Sequence, residues 1–154
     1  MLDRTLDLDE LKLLSHKDCV RFALFCAEQV KEGWRGVPEC VVAVETTERW
    51  LEGKATKGEC KVTSDAAYAA YSAANATNAA YAAYNAAYYA AAAAAANAAY
   101  AAYAYAASAT AYAAYANAAY AASANGKPHL IEAQWNYYEE LLHFDDIAEK
   151  LLLG

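Results

Sequence analysis

The sequence predicts an all-α fold, a compact bundle of about six to eight helices with no β-sheet. Residues 66–125 comprise 37 Ala, 12 Tyr, 6 Asn, 3 Ser and 2 Thr, with no charge, glycine or proline. Ala is the strongest helix former, and the other four types each cost only ~0.5–0.7 kcal/mol relative to it. Helix-capping motifs flank this block, and no segment has the apolar-polar alternation typical of a strand.

The 154 residues suit a single helical domain with three compositional regions. Residues 1–65 hold charged N-terminal helices, residues 66–125 hold Ala/Tyr/Asn-rich helices, and residues 126–154 form an acidic C-terminal helix and tail. The large aliphatic side chains lie in the two outer regions. We therefore expect these regions to clamp the Ala-rich, close-packed middle helices.

Two helix starts are predicted near the N-terminus. Asp7 or Asp9 suits the N-cap of a short first helix, because an Asp side chain accepts a hydrogen bond from a free backbone N–H there. Ser15 and Asp18 have the spacing of a capping box. They predict a second helix that continues to about Lys31.

A third and a fourth helix are predicted before the Ala-rich block. Pro38 suits the first turn of a helix, because the missing N–H is not needed there. This helix should end just before Gly53, which can act as a C-terminal cap. Thr56 and Glu59 repeat the capping pattern and predict the start of the fourth helix.

The Ala-rich block must contain more than one helix. As a single helix its 60 residues would be about 90 Å long, too long for a small compact domain. Short polar side chains compete for backbone hydrogen bonds, so breaks are predicted around Asn75–Asn78, at Asn97 and around Ser108–Thr110. Gly126 ends the block, and a last helix is predicted from about Pro128 to His143.

Tyrosine and asparagine recur three and four residues apart in the block, in rows such as Tyr81, Tyr84 and Tyr88, with Asn85 beside them, and Tyr112 and Tyr115. This spacing places them on one face of a helix and leaves the remainder almost pure Ala. A buried Asn needs several hydrogen bonds, so we expect the rows to face water or a partner and Ala to pack inward. The alternative is that Tyr fills the core and Ala faces out.

The net charge of −7 is distributed unevenly: −3 in residues 1–65, zero in the middle and −4 in residues 126–154. Without a basic groove, no direct nucleic-acid binding is expected. The acidic C-terminal region could meet a basic protein or be a solvated face. The Ala-rich block lacks the ~20 strongly apolar residues of a membrane span, so we expect a soluble protein without membrane contact.

The cysteines are expected to be reduced, buried thiols in the cytoplasm, because no signal peptide precedes them. His16, Cys19 and Cys26 could share a helix face, but a zinc site needs a fourth ligand and no close Cys or His pair exists. We therefore predict no metal and no cofactor.

Catalytic patterns are also missing from the sequence. His129 and His143 have no partner whose spacing indicates a catalytic triad, and no Gly-rich phosphate loop is present. Glu139 and Glu140 belong to an acidic cluster with Asp145 and Asp146, but catalytic carboxylates need a pocket. The prediction is that the protein is not an enzyme.

The Tyr/Asn rows and the acidic cluster are the candidate binding surfaces. Tyr offers a large contact area at a small entropic cost, and Asn offers adaptable hydrogen bonds. The competing interpretation is a neutral, solvated coat over Ala-packed helices. The predicted binding residues are Tyr81, Tyr84, Asn85, Tyr88, Tyr112, Tyr115, Tyr138, Glu139, Asp145 and Asp146.

The chain resembles the alanine-rich immunity proteins of bacteria and their phages. The shared elements are "LLSHKDCVRFALFCAEQV", "AVETTERWLEGKATKGEC", the Ala-rich helices and a closing "IEAQWNYYEELL". The resemblance implies an all-helical, non-enzymatic protein that neutralises a toxin or defence component by binding it in a bacterial cytoplasm. It assigns no site residues. In the family the positions between alanines are often Arg, Asp or Glu, whereas here they are Tyr and Asn.

Two functions remain open at this point. The first is an immunity or anti-defence protein that binds a protein partner through the acidic region and the Tyr rows. The second is a small-ligand protein in which Tyr and Asn line a pocket for a nucleotide or sugar. In either case the uncharged Tyr rows predict a homo-oligomer formed through the middle helices.

Overall fold

The computed structural model describes the backbone of residues 6–73, 78–95 and 101–153, and the side chains of these residues except 79, 101–108 and 144–153. Within these ranges there are eight helices and no strand, which confirms the predicted all-α bundle. The helices are α1 Leu8–Leu11, α2 His16–Gln29, α3 Lys31–Trp34, α4 Pro38–Leu51, α5 Lys57–Ala73, α6 Asn78–Ala95, α7 Ala101–Ala124 and α8 His129–Leu153.

The first two helices begin at the predicted caps. The Asp7 carboxylate accepts a hydrogen bond from the Glu10 N–H at 2.9 Å, and the Glu10 carboxylate accepts one from the Asp7 N–H at 3.3 Å. The Ser15 hydroxyl accepts from the Asp18 N–H at 3.2 Å at the start of α2. Each cap satisfies a backbone donor that the helix itself leaves free.

The next two predicted helices are also confirmed. Pro38 is the first residue of α4, which ends at Leu51. Gly53 follows with a φ of 76°, a conformation in which a side chain is strained. At the start of α5 the Thr56 hydroxyl accepts from the Glu59 N–H at 3.1 Å.

The short helix α3 was not predicted, and it lies where glycine and proline indicated only a break. Its Trp34 is buried and donates its indole N–H to the Ala27 carbonyl at 2.7 Å. A methyl group at Gly33 would lie 2.5 Å from the Cβ of Ala83, so α3 approaches α6 more closely than any larger residue permits. Glycine at position 33 therefore determines how α3 packs.

The predicted breaks in the Ala-rich block have different outcomes. α5 ends at Ala73 and α6 begins at Asn78, while residues 75–77 and Asn97 lie outside the described residues. The break predicted at Ser108–Thr110 is wrong, because α7 is continuous there. Ser and Thr cost a helix only tenths of a kcal/mol, too little to break it when long helix lies on both sides.

The predicted end of the last helix at His143 is also wrong. α8 continues to Leu153. Between His143 and Gly154 the sequence has neither glycine nor proline, so nothing in it stops helical hydrogen bonding.

The core combines large side chains from the N-terminal helices with alanine from α6 and α7. Phe22, Trp34 and Leu11 are almost completely buried in the first part. In the second part the fully or nearly fully buried alanines are Ala82, Ala83, Ala86, Ala87, Ala90, Ala91, Ala93, Ala94, Ala111, Ala114, Ala118, Ala121 and Ala122. The prediction that Ala packs inward is confirmed, and the alternative of a tyrosine-filled Ala-rich core is wrong.

The helices pack as layers around this core. α6 packs against α7, α5, α2 and α4, and α8 packs against α2 and α7. Ring contacts join Tyr71 to Tyr81 and Tyr68 to Tyr88, so α5 and α6 run antiparallel. In the part of the chain that the structure describes, no helix combines the length and apolarity needed to cross a membrane.

Candidate binding surfaces

Six tyrosines of α5 and α6 form a continuous chain of ring contacts, which we call the tyrosine surface: Tyr89, Tyr88, Tyr68, Tyr71, Tyr81 and Tyr84. The distances between neighbouring ring centroids, in this order, are 4.6, 5.3, 6.0, 5.1 and 6.3 Å. Such distances are typical of favourable aromatic pairs. Tyr68 is 51% exposed, and the other five rings are half-buried against the Ala-rich helices.

The tyrosine surface carries no net charge. α6 contains no charged residue. On α5, Lys61 and Asp65 form an ion pair with 3.2 Å between Nζ and Oδ2. Burial raises the pKa of Tyr88, and Tyr89 and Asp65 raise it further, so this hydroxyl is neutral in ordinary buffers. The surface is thus a neutral aromatic patch on an acidic protein.

Asn85 lies beside this patch but serves the packing of α6 on α7. Its side-chain N–H donates to the Asn117 carbonyl oxygen at 3.4 Å, and the Asn117 amide donates to the Ala113 carbonyl at 2.8 Å. Because Asn85 is half-buried and hydrogen-bonded to the next helix, its principal role in the structure is interhelical.

The predicted binding residues Tyr112 and Tyr115 do not lie on one surface. Tyr112 is exposed, whereas Tyr115 is buried with its ring 6.0 Å from Phe22. The Tyr115 hydroxyl accepts a hydrogen bond from the Leu6 N–H at 3.2 Å, and burial raises its pKa. The ring and hydroxyl of Tyr115, one of the predicted binding residues, therefore lie in the interior and attach the N-terminus to α7.

A second surface feature lies between the end of α1 and the middle of α8, and we call it the acidic groove. It has a volume of about 380 Å³ and is lined by Glu10, Leu13, Trp135, Tyr138, Glu139, Leu142 and His143. Leu13 is 63% exposed, one of the most exposed large apolar side chains in the described part of the chain. Apolar side chains thus form much of the groove between two glutamates from distant parts of the sequence.

Tyr138 joins the two sides of the groove. Its hydroxyl donates to the Glu10 carbonyl at 2.8 Å, and its ring lies 5.6 Å from that of Trp135. Burial, together with the charge of Glu10, raises the pKa of Tyr138 to about 12. Tyr138, one of the predicted binding residues, lines the groove with only 2% of its surface exposed, so it supports the groove more than it offers contact area.

The predicted acidic residues are divided between described and undescribed side chains. Glu139 lines the groove, and the Glu140 side chain is exposed next to it. Asp145 and Asp146 belong to α8 by their backbone, but their side chains lie outside the described residues. Sequence reasoning missed Leu13, which lies two residues after the four-residue helix α1, where no helical periodicity could reveal its exposure.

The cysteines, which are candidate nucleophiles and metal ligands, lie in environments that indicate a structural role. All four cysteines are buried and free. Burial raises the pKa of Cys26 well above its ordinary value, that of Cys40 to about 12 and that of Cys60 to about 11, so these thiols are protonated at neutral pH. Thiols in this state are poor nucleophiles and poor ligands.

His16 is also held by the fold, since its Nε2 donates to the Ala93 carbonyl at 2.8 Å and its ring lies 5.2 Å from that of Trp50. The Cys19 thiol contacts the backbone carbonyls of Leu11 and Leu14. His129 is exposed, and His143 lines the acidic groove. Among the described residues no group of three His, Cys, Asp or Glu side chains is placed to hold a metal ion.

The small-ligand hypothesis requires tyrosines and asparagines that converge on a cavity. The acidic groove contains a single tyrosine and no asparagine. The predicted residues Tyr81, Tyr84 and Tyr88 lie instead on the tyrosine surface, with Asn85 beside it. Compared with protein-family models, curated proteins and solved structures, the chain gives no match.

Proposed function

We propose that the chain is a non-enzymatic binding protein of the immunity or anti-defence type, which neutralises a basic protein partner by occupying part of its surface. The observation that carries the proposal is the acidic groove, which is lined by an exposed leucine and a tryptophan together with Glu10 and Glu139. This combination suits a cationic amphipathic segment, since apolar contact supplies the affinity and the carboxylates select a basic partner.

The charge distribution supports this choice of partner. The whole chain carries −7, and residues 126–154, which include α8, carry −4. Near the groove, Asp7 and Asp9 add further carboxylates, of which Asp9 pairs with Lys12 at 3.4 Å. A negative potential of this kind attracts a basic surface and speeds association with it at low salt.

The family resemblance supports the immunity-type role. It rests on sequence motifs that fall in α2, in α4 and the start of α5, and in α8. The all-helical fold agrees with what that resemblance implies. The buried thiols and the hydrogen-bonded His16 provide no reactive group, which favours binding over catalysis.

The first test uses a defined probe, a fluorescent amphipathic helical peptide of Lys and Leu, with a Glu/Leu peptide of equal length for comparison. The Lys/Leu peptide should bind by fluorescence anisotropy, and its affinity should fall as salt rises. The double variant Glu10→Gln, Glu139→Gln should weaken binding about tenfold, because two attractive charges are lost. Gln at position 10 can still accept the Asp7 N–H, so the capping box is kept.

Two further variants test whether the peptide binds at the groove. Glu52→Gln removes one negative charge at the end of α4, where Glu52 pairs with Lys54 at 3.1 Å, and should leave peptide affinity unchanged. Leu13→Ala should weaken binding without unfolding, because Leu13 is already mostly exposed. Equal binding of both peptides, or equal effects of the groove variants and Glu52→Gln, would show that the groove is not the binding site.

A second experiment identifies the natural partner. Wild-type protein and the Leu13→Ala variant are each used to recover bound material from the native host, followed by mass spectrometry. The proposal expects a basic protein that is retained by wild type and lost with the variant. Recovery of a stoichiometric nucleotide or sugar, with no protein, would instead favour the small-ligand function.

A further inference from the structure

We propose that the tyrosine surface is the interface of a homodimer, with the same surface of a second copy as its occupant. The surface consists of the six tyrosines of α5 and α6 defined above. It is separate from the acidic groove, because α5 packs on α4 and α6 whereas α1 and α8 pack on α7 and α2. The proposal does not depend on the identity of any other partner.

Charge is the first argument for a second copy. Two identical chains of net charge −7 repel each other over most orientations. α6 has no charged residue, and Lys61 and Asp65 at the edge of the patch already neutralise each other. Face-to-face contact of two tyrosine surfaces therefore brings no unpaired like charges together.

The available contact area is the second argument. A fully buried tyrosine contributes ~150–250 Å², and five of the six rings retain only part of that exposure in the single chain. On that basis the rings, with alanine between them, offer at most ~600 Å² per copy, at the lower limit of stable interfaces. The patch thus suits a dimer of modest affinity.

The chemistry of tyrosine is the third argument. Tyr84, Tyr88 and Tyr89 pack against the core. Tyr71 and Tyr81 are held by contacts with neighbouring rings, so little side-chain entropy of these five residues remains to be lost on association. Their hydroxyls supply donors and acceptors at the rim, and aromatic residues are enriched at the buried centres of interfaces. A two-fold axis through the patch would bring α5 and α6 of one copy against the same helices of the other.

The test measures the mass of the full-length chain by sedimentation velocity and light scattering, up to ~100 μM, well above a micromolar dissociation constant. Wild type should be a dimer at the highest concentration. Tyr68→Glu should weaken dimerisation at least tenfold, because a carboxylate on each copy would enter the interface. Tyr68 is the chosen position because it is 51% exposed, so its substitution leaves the packed core intact.

Tyr112→Glu is the matched control. Tyr112 is also an exposed tyrosine, 37% accessible, but it contacts Tyr115 beside the N-terminus and belongs to no pair of the tyrosine surface. Its substitution adds the same charge and should leave dimerisation unchanged. Circular dichroism of both variants checks that the helices are retained.

A second readout does not depend on a variant. Because the interface is uncharged and the two copies are acidic, higher salt should maintain or strengthen the wild-type dimer. The proposal is overturned by a wild-type monomer at the highest concentration, by a dimer that Tyr68→Glu leaves intact, or by a dimer that salt dissociates.

Discussion

At the scale of single residues, the smallest side chains determine how closely the helices approach. Gly33 lies where any Cβ would meet the Cβ of Ala83 at 2.5 Å, a distance that real Cβ contacts do not show. Ala83 itself is buried in α6, so neither partner can turn away. Only glycine, whose side chain is a single hydrogen atom, thus allows α3 to pack this closely on α6.

Gly33→Ala should lower the free energy of unfolding by ~1–3 kcal/mol, because α3 and α6 must separate to accept the methyl group. Gly36→Ala is the control, since nothing lies within 4 Å of its added Cβ and its φ is not positive. That substitution should stabilise the protein by ~0.4–1 kcal/mol through the unfolded chain. Urea unfolding of both variants compares them, and similar values for the two would contradict the close α3–α6 contact.

The positions of individual tyrosines could be predicted from the sequence only in part. The spacing of Tyr81, Tyr84 and Tyr88 predicts that they share one helix face, and in the structure all three lie on the tyrosine surface. Tyr112 and Tyr115 have the same spacing of three, yet one is exposed and the other is core. Tyr115 differs from Tyr112 because its hydroxyl accepts a hydrogen bond from the Leu6 N–H, 109 positions away in the sequence. Local periodicity cannot predict such a contact.

At the scale of helices, the starts are determined locally and the sequence predicts them well. The caps at Asp7, Ser15 and Thr56 each involve residues three positions apart. The interior of the Ala-rich block has no such local rule, because Ser and Thr neither favour nor forbid a helix strongly. This is why a break at Ser108–Thr110 was expected and a continuous α7 is found.

Ser15→Ala should destabilise the protein by ~1 kcal/mol, because the Asp18 N–H would lose the side-chain acceptor at the start of α2. Ser72→Ala is the matched control, since Ser72 is exposed within α5. Ala is the better helix former, so the control should be neutral or stabilise by ~0.5 kcal/mol. Chemical denaturation monitored by circular dichroism tests both, and an unchanged midpoint for Ser15→Ala would show that the cap contributes nothing.

At the scale of the whole molecule, the acidic groove and the tyrosine surface each combine residues that the sequence keeps apart. Glu10 and Tyr138 are joined by a hydrogen bond over 128 positions, and Tyr68 meets Tyr88 across two helices. Composition identified the inward packing of alanine and the acidic C-terminal region. Which acid meets which apolar side chain depends on the packing of α8 against α2 and α7, which no local pattern encodes.

The same packing buries several groups that are neutral only while protonated, so the fold should be sensitive to alkali. Burial raises the pKa of Cys60 from 9.0 to about 11, that of Cys40 from 9.0 to about 12 and that of Tyr138 from 10.0 to about 12. In the unfolded chain these groups ionise at their ordinary values. Between pH ~9 and ~12 the folded protein therefore binds more protons than the unfolded one.

Stability contributed by these groups should be fully present below pH ~9 and should decrease as the pH rises towards ~12, because the unfolded state there releases its protons more readily. Urea midpoints measured at intervals across this range test the direction. Above pH ~10, where the Tyr138 hydroxyl contributes, Tyr138→Phe should make the free energy of unfolding fall less steeply with pH. Below that pH the decrease should be the same as in wild type, because the thiols remain. A stability independent of pH over the whole range, or a rise with pH, would contradict the burial of protonated Cys40, Cys60 and Tyr138.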